Sequence, residues 1–126
     1  MPRPFPLSPH LQVYRLPLTA LLSITHRMTG VFLGLGICLW LMLLILMAWN
    51  RSAYESLHAL LPTIPGRLFT GGFIFALFFH LSHGVRHLLW DMGLGLERDH
   101  LNRLALYELL AALGLSLGCM ASALLP

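Results

Sequence analysis

The sequence has 126 residues, of which 57% are hydrophobic and only 10% charged; its net charge of +3 comes from eight arginines and no lysine against five acids. A soluble domain carries about 25% charged residues, so this composition excludes a water-soluble enzyme and, with so few charges, a disordered chain. The arginines stand singly along the sequence, which leaves no basic patch for nucleic acid.

In chain order, residues 1–27 form an arm broken by Pro2, Pro4, Pro6, Pro9 and Pro17. The arm has no apolar core, so it does not read as a signal peptide, and no Arg- and Ser-rich transit peptide precedes it. A bacterial membrane is therefore expected over an organelle. Its last turns carry Ser23, His26 and Arg27. On a helix Ser23 and Arg27 share a face, with His26 beside Ser23. A hydroxyl, an imidazole and a guanidinium at a membrane edge suit a quinone, since donors hold its carbonyl oxygens and stabilise developing negative charge. The same spacing also fits an arginine that snorkels to headgroups beside a helix-capping serine.

Three uncharged or nearly uncharged runs follow. Met28 to Asn50 contains no charge and as a helix spans about 34 Å, enough for a hydrocarbon core of about 30 Å. Leu68 to Val85 lies between Arg67 and Arg86, interrupted by His80 and His83, and continues to Trp90. The last run starts near Leu104 with Glu108 close to its entrance. The expected fold is an all-α membrane protein with three transmembrane helices at about 28–50, 68–90 and 104–125. Residues 1–27 form a cytoplasmic arm in this reading, and 28–126 form the anchor. Six arginines fall on the arm and the second loop against two on the first loop. That places the N-terminus in the cytoplasm and the C-terminus outside. Trp49, Trp90 and Tyr107 fall at span ends. Gly30 and Gly34, and Gly114 and Gly118, form GxxxG pairs that allow close helix approach. Cys38 and Cys119 sit in apolar runs without any metal or redox spacing, as small hydrophobes.

The second span carries the densest chemistry, His80-Leu81-Ser82-His83-Gly84-Val85-Arg86-His87-Leu88-Leu89-Trp90-Asp91. His83 and His87 lie about 300° and 340° around the helix from His80, so the three imidazoles form one stripe, with Gly84 beside them. An intramembrane histidine is either neutral and hydrogen-bonded to a neighbouring helix or a metal ligand. In a helix stack the metal carrier is haem, whose iron takes axial imidazole. Two histidines on one stripe cannot grip opposite faces of one iron, and the first and third spans contain none. His10, His26, His58 and His100 lie outside the spans or at their edges. A second axial histidine at this depth must come from another chain, with Met42 as the alternative within this one.

Ser8-Pro9-His10-Leu11, Ser23-Ile24-Thr25-His26-Arg27 and the His-x-x-x-Gly-x-Arg-His-x-x-x-Asp pattern of His80 to Asp91 together resemble the cytochrome b large anchor subunit of succinate dehydrogenase. The resemblance covers nearly the whole chain. It implies half of a heterodimeric haem-binding helix bundle in a multi-pass inner membrane protein. Such a chain is a subunit of succinate:quinone oxidoreductase, not catalytic alone. It passes electrons from the iron–sulfur subunit to a membrane quinone, ubiquinone or menaquinone, in the electron transport of the tricarboxylic acid cycle. The implied partners are a small membrane-anchor subunit that supplies the second haem histidine, an iron–sulfur subunit and a flavoprotein subunit. By the same resemblance His80 is the axial ligand of haem b, Ser23 and Arg27 bind the quinone, and His26, Arg86 and His83 contact the haem. Asp91 pairs with Arg86 or His87, or meets the partner near the quinone. His83 occupies a position the motif leaves open and is a rival ligand, and Arg3 is spaced further from Ser8 than is usual in the family. Two other readings of the same residues are a fumarate reductase or other b-type anchor, and a haem-free proton-relay or transporter subunit.

Overall fold

The computed structural model describes residues 15–123, apart from the side chains of residues 98 and 99. Arg3 and the Ser8-Pro9-His10-Leu11 stretch lie outside them. Four helices follow in order: α1 Leu18–Trp49, α2 Arg51–His58, α3 Ile64–Asp91 and α4 Arg98–Ser122. Three of these, α1, α3 and the His100–Ser122 part of α4, are long and apolar enough to cross a membrane. The chain is an all-α membrane protein with three candidate spans.

α1 begins behind Pro17, whose extended backbone (ψ 154°) leads into the first turn, and therefore starts at Leu18, ahead of Met28. At 32 residues it is about 48 Å long, well beyond the hydrocarbon thickness. Asn50 ends it by leaving helical geometry, and its Oδ1 accepts the Ala53 N–H at 3.1 Å to cap α2. This short polar helix is not among the expected elements, and an exposed Arg51–Glu55 pair at 2.8 Å supports it. Thr63 then caps α3 through the Gly66 N–H at 3.3 Å, with Pro65 in the first turn, where a missing N–H costs nothing. At the other end Gly93 takes φ +75°, and the Gly93 N–H to Trp90 O and Leu94 N–H to Leu89 O bonds close a Schellman motif. Only glycine adopts that φ without strain, which fixes where α3 stops.

α3 is the middle element, packed most extensively on α4 and next on α1, while α1 and α4 touch little. The α4 face turned to α3 carries Ala105, Glu108, Ala112 and Ser116, all buried. These positions are three or four apart, and the small side chains of Ala105, Ala112 and Ser116 bring the backbones together. The expected contact at Gly114 and Gly118 does not form: a Cβ at either would meet nothing within 4 Å. They lie on another face of the helix from the Ala112–Ser116 seam. Of the first GxxxG pair, Gly30 is in close contact and Gly34 is not. Gly36 is the tight position lower on α1, where a Cβ would run into the Phe73 ring of α3. Gly36→Val is expected to weaken the α1–α3 contact by about 1–3 kcal/mol through overpacking, read as a lower midpoint of thermal unfolding in detergent. An unchanged midpoint would mean that Phe73 simply turns away.

Candidate functional site

The three α3 histidines do share one face, and the residue that unites them comes from α1. The His26 ring stacks on His80 with centroids 3.9 Å apart, on His83 at 4.4 Å, and lies 5.9 Å from His87. His83 and His87 meet edge to face at 4.9 Å. Spacing alone produces the stripe; the position of His26 over it follows from the α1–α3 contact.

His80 is held at one nitrogen. Its Nδ1 is 3.2 Å from the His26 carbonyl oxygen and 3.3 Å from Thr29 Oγ1. A carbonyl only accepts, so Nδ1 carries the proton and the lone pair resides on Nε2. Thr29 Oγ1 donates to the same carbonyl at 2.8 Å, which fixes the hydroxyl. Nε2 of His80 makes no hydrogen bond among the described residues. The ring packs against Gly30 so closely that an added Cβ would lie 3.0 Å from Cε1. His80 also borders an apolar cavity of about 700 Å³ between α1 and α3, lined also by Gly30, Gly34, Leu33, Ile37 and Phe73. That volume lies in the usual range for a cofactor pocket. Gly84 does not line this cavity, and a Cβ there would meet nothing within 4 Å.

His83 has a different environment. It is 0% exposed, and its Nδ1 lies 2.6 Å from Glu108 Oε1. The other carboxylate oxygen pairs with Arg86 Nη1 at 3.1 Å, so a carboxylate, a guanidinium and an imidazole from α3 and α4 form one buried cluster. The Arg86 guanidinium also lies 4.8 Å over the Trp90 ring. Trp90 is thus packed beneath a cation, with its Nε1 buried and unpartnered among the described residues. His83 Nε2 and His26 Nδ1 are likewise buried without a partner there.

Ser23 is half-buried and Arg27 exposed on α1, and no hydrogen bond joins them among the described residues. Asp91 is exposed and forms no ion pair with Arg86 or His87. Glu108 takes Arg86 instead. Sequence reasoning noted Glu108 only as a charge near a span entrance. A carboxylate in a run otherwise free of charge was the available signal.

The model of the succinate dehydrogenase/fumarate reductase transmembrane subunit family matches residues 1–118. The chain belongs to this family. The anchor subunit is 40% identical over 100 residues to the succinate dehydrogenase cytochrome b560 subunit of Reclinomonas americana, covering 75% of this chain and 69% of that one. It is 41% identical over 98 residues to the cytochrome b556 subunit of Paracoccus denitrificans, covering 78% and 75%. With the mitochondrial cytochrome b560 subunit of Sus scrofa it shares 35% over 118 residues, covering 92% and 70%. The chain is accordingly a membrane-anchor cytochrome b subunit of succinate dehydrogenase, one part of a larger enzyme complex.

Proposed function

We propose that this anchor subunit binds haem b through His80 and holds a membrane quinone at Ser23 and Arg27. The observation that carries the reading is the state of His80. One ring nitrogen is committed to the His26 carbonyl and Thr29, the other makes no hydrogen bond among the described residues, and the residue borders an apolar cavity. A metal-binding histidine is commonly fixed in this way, by a hydrogen bond from its second nitrogen to a carbonyl. The donor set fits haem iron, and the glycine at position 30 supplies the clearance that a side chain would fill. Haem b, when bound, supplies a one-electron store beside the quinone.

The chain's own residues divide the work. His80 would hold the iron through Nε2, Thr29 and the His26 carbonyl set its tautomer, and Leu33, Ile37 and Phe73 give the cavity apolar walls. His26, His83 and Arg86 form the polar rim, the last two joined to Glu108. Ser23 and Arg27 donate to the quinone carbonyl oxygens and favour the negative charge that develops on reduction. The one histidine of α4, His100, is exposed at the very start of its membrane run, so a second histidine ligand at the depth of His80 would come from a small membrane-anchor subunit. An iron–sulfur subunit and a flavoprotein subunit dock at the end where Ser23 and Arg27 lie. The arginine asymmetry favours the cytoplasmic side for that end, which in a bacterial inner membrane leaves the C-terminus in the periplasm. Ubiquinone and menaquinone both fit the donor pair.

Two measurements test this. The complex purified with its partners is expected to show a low-spin haem b spectrum; a preparation without a Soret band would overturn the haem assignment. Ser23→Ala and Arg27→Gln are each expected to slow quinone reduction by at least about tenfold, the loss of one charge-assisted donor. Succinate oxidation with a soluble artificial acceptor should persist. Equal loss of both activities would mark failed assembly and remove Ser23 and Arg27 from the quinone site.

A further inference from the structure

We infer that Glu108, on α4, is a positioning residue for the His80 imidazole and acts through His83 and His26. Neither the motif nor the proposed roles of the other residues explains this carboxylate. It is 5% exposed, in a helix with no other acid in its membrane run. Burying a carboxylate is costly unless it is paired and hydrogen-bonded, and Glu108 has both kinds of partner. Its Oε2 faces Arg86 Nη1 and its Oε1 faces His83 Nδ1.

The contact with His83 has a directional consequence. Arg86 Nη2 also lies 3.2 Å from His83 Nδ1, but the 2.6 Å contact with Glu108 Oε1 is the shorter; a carboxylate beside a guanidinium acts as an acceptor, so His83 donates from Nδ1 to Glu108 and its ring plane is fixed relative to α4. That ring stacks on His26 at 4.4 Å with an interplanar angle of 27°, and His26 stacks in turn on His80 at 3.9 Å and 15°. His26 is therefore held between two imidazoles, and its own backbone carbonyl takes the His80 Nδ1–H. Glu108 to His83 to His26 to His80 is a continuous series of contacts across α4, α3 and α1. α4 and α1 have little direct contact, so this series is the polar route by which α4 reaches the site. Without the carboxylate, the His83 ring loses that acceptor and can rotate, and the stack behind His80 loosens.

The inference rests on His80 as the haem ligand, and the orientation of an axial imidazole plane is read in the g values of low-spin ferric haem. The test uses the assembled complex in four variants: Glu108→Leu, His83→Phe, the double variant, and Glu108→Gln. Glu108→Leu and His83→Phe are expected to move the largest g value in the same direction and to a similar extent. The double variant should add nothing, because both single changes remove the same link. Glu108→Gln keeps an oxygen for the His83 Nδ1–H and should stay at the parent position. If Glu108→Leu fails to assemble, His83→Phe decides alone, since it keeps both the flat ring and the Arg86–Glu108 pair. A shift there supports the inference, and an unchanged g value overturns it. Additive shifts in the double variant, or a Glu108→Gln shift as large as that of Leu, overturn it as well. A parent-like signal in His80→Ala would instead overturn the ligand assignment itself, a separate result from a separate variant.

Discussion

Replacing His80 with alanine is expected to abolish the low-spin haem b spectrum of the purified complex, whereas replacing His83 leaves a low-spin haem in place. The two residues share a stripe on α3 but differ in what their nitrogens do. His80 borders the α1–α3 cavity, with Nδ1 tied to α1 and Nε2 without a hydrogen bond among the described residues. His83 is wholly enclosed and donates to Glu108. Alanine at position 80 removes the only nitrogen of this chain proposed to bond the iron, so the loss is of the whole signal. Alanine at position 83 disturbs a supporting contact, and such changes weaken metal-site affinity by about 10–100-fold. Optical and spin-resonance spectra of both variants, normalised to the amount of assembled complex, check the pair. The reverse pattern, with the signal lost on changing His83 and kept on changing His80, would exchange the two assignments.

The second large effect concerns Arg86. Arg86→Met strands the Glu108 carboxylate between α3 and α4 with only His83 for company. Breaking a buried ion pair from one side costs about 3–5 kcal/mol. The expected result is a sharp fall in the thermal midpoint of the assembled complex and in its yield from membranes. Arg86→Met combined with Glu108→Leu should recover much of that loss, because apolar replacement of the entire pair removes the uncompensated charge. Should the single variant prove as stable as the parent, the 3.1 Å contact carries no structural weight in the assembled protein.

These contrasts also mark how far the sequence could be read. The three spans were legible because uncharged apolar runs long enough to cross a bilayer are uncommon in chains that fold in water. The histidine stripe was legible because the helical repeat fixes it. The partner of Arg86 was not. Asp91 is nearer in sequence, but five positions turn a side chain about 140° around the helix, onto a different face. Glu108 lies on another helix, and nothing local encodes which helix faces which. The GxxxG pair in α4 misled for a related reason. Small residues recur on several faces, and Ala112 and Ser116 are the ones turned toward α3. α2 was missed because its eight residues are too polar to register as a span and too few to show a period. Asn50, a favourable cap, was its one signal. Whether Ser23 and Arg27 work together is decided by what approaches them, which a single chain does not contain.

One flank of α1 is bare: only Leu22 and Thr29 of the whole helix are buried, and Val31, Leu35 and Ile45 are exposed. Lipid tails can cover such a flank without favouring one arrangement of it. A copy synthesised in excess of its companions therefore has its rear two spans zipped together and its leading span loosely held.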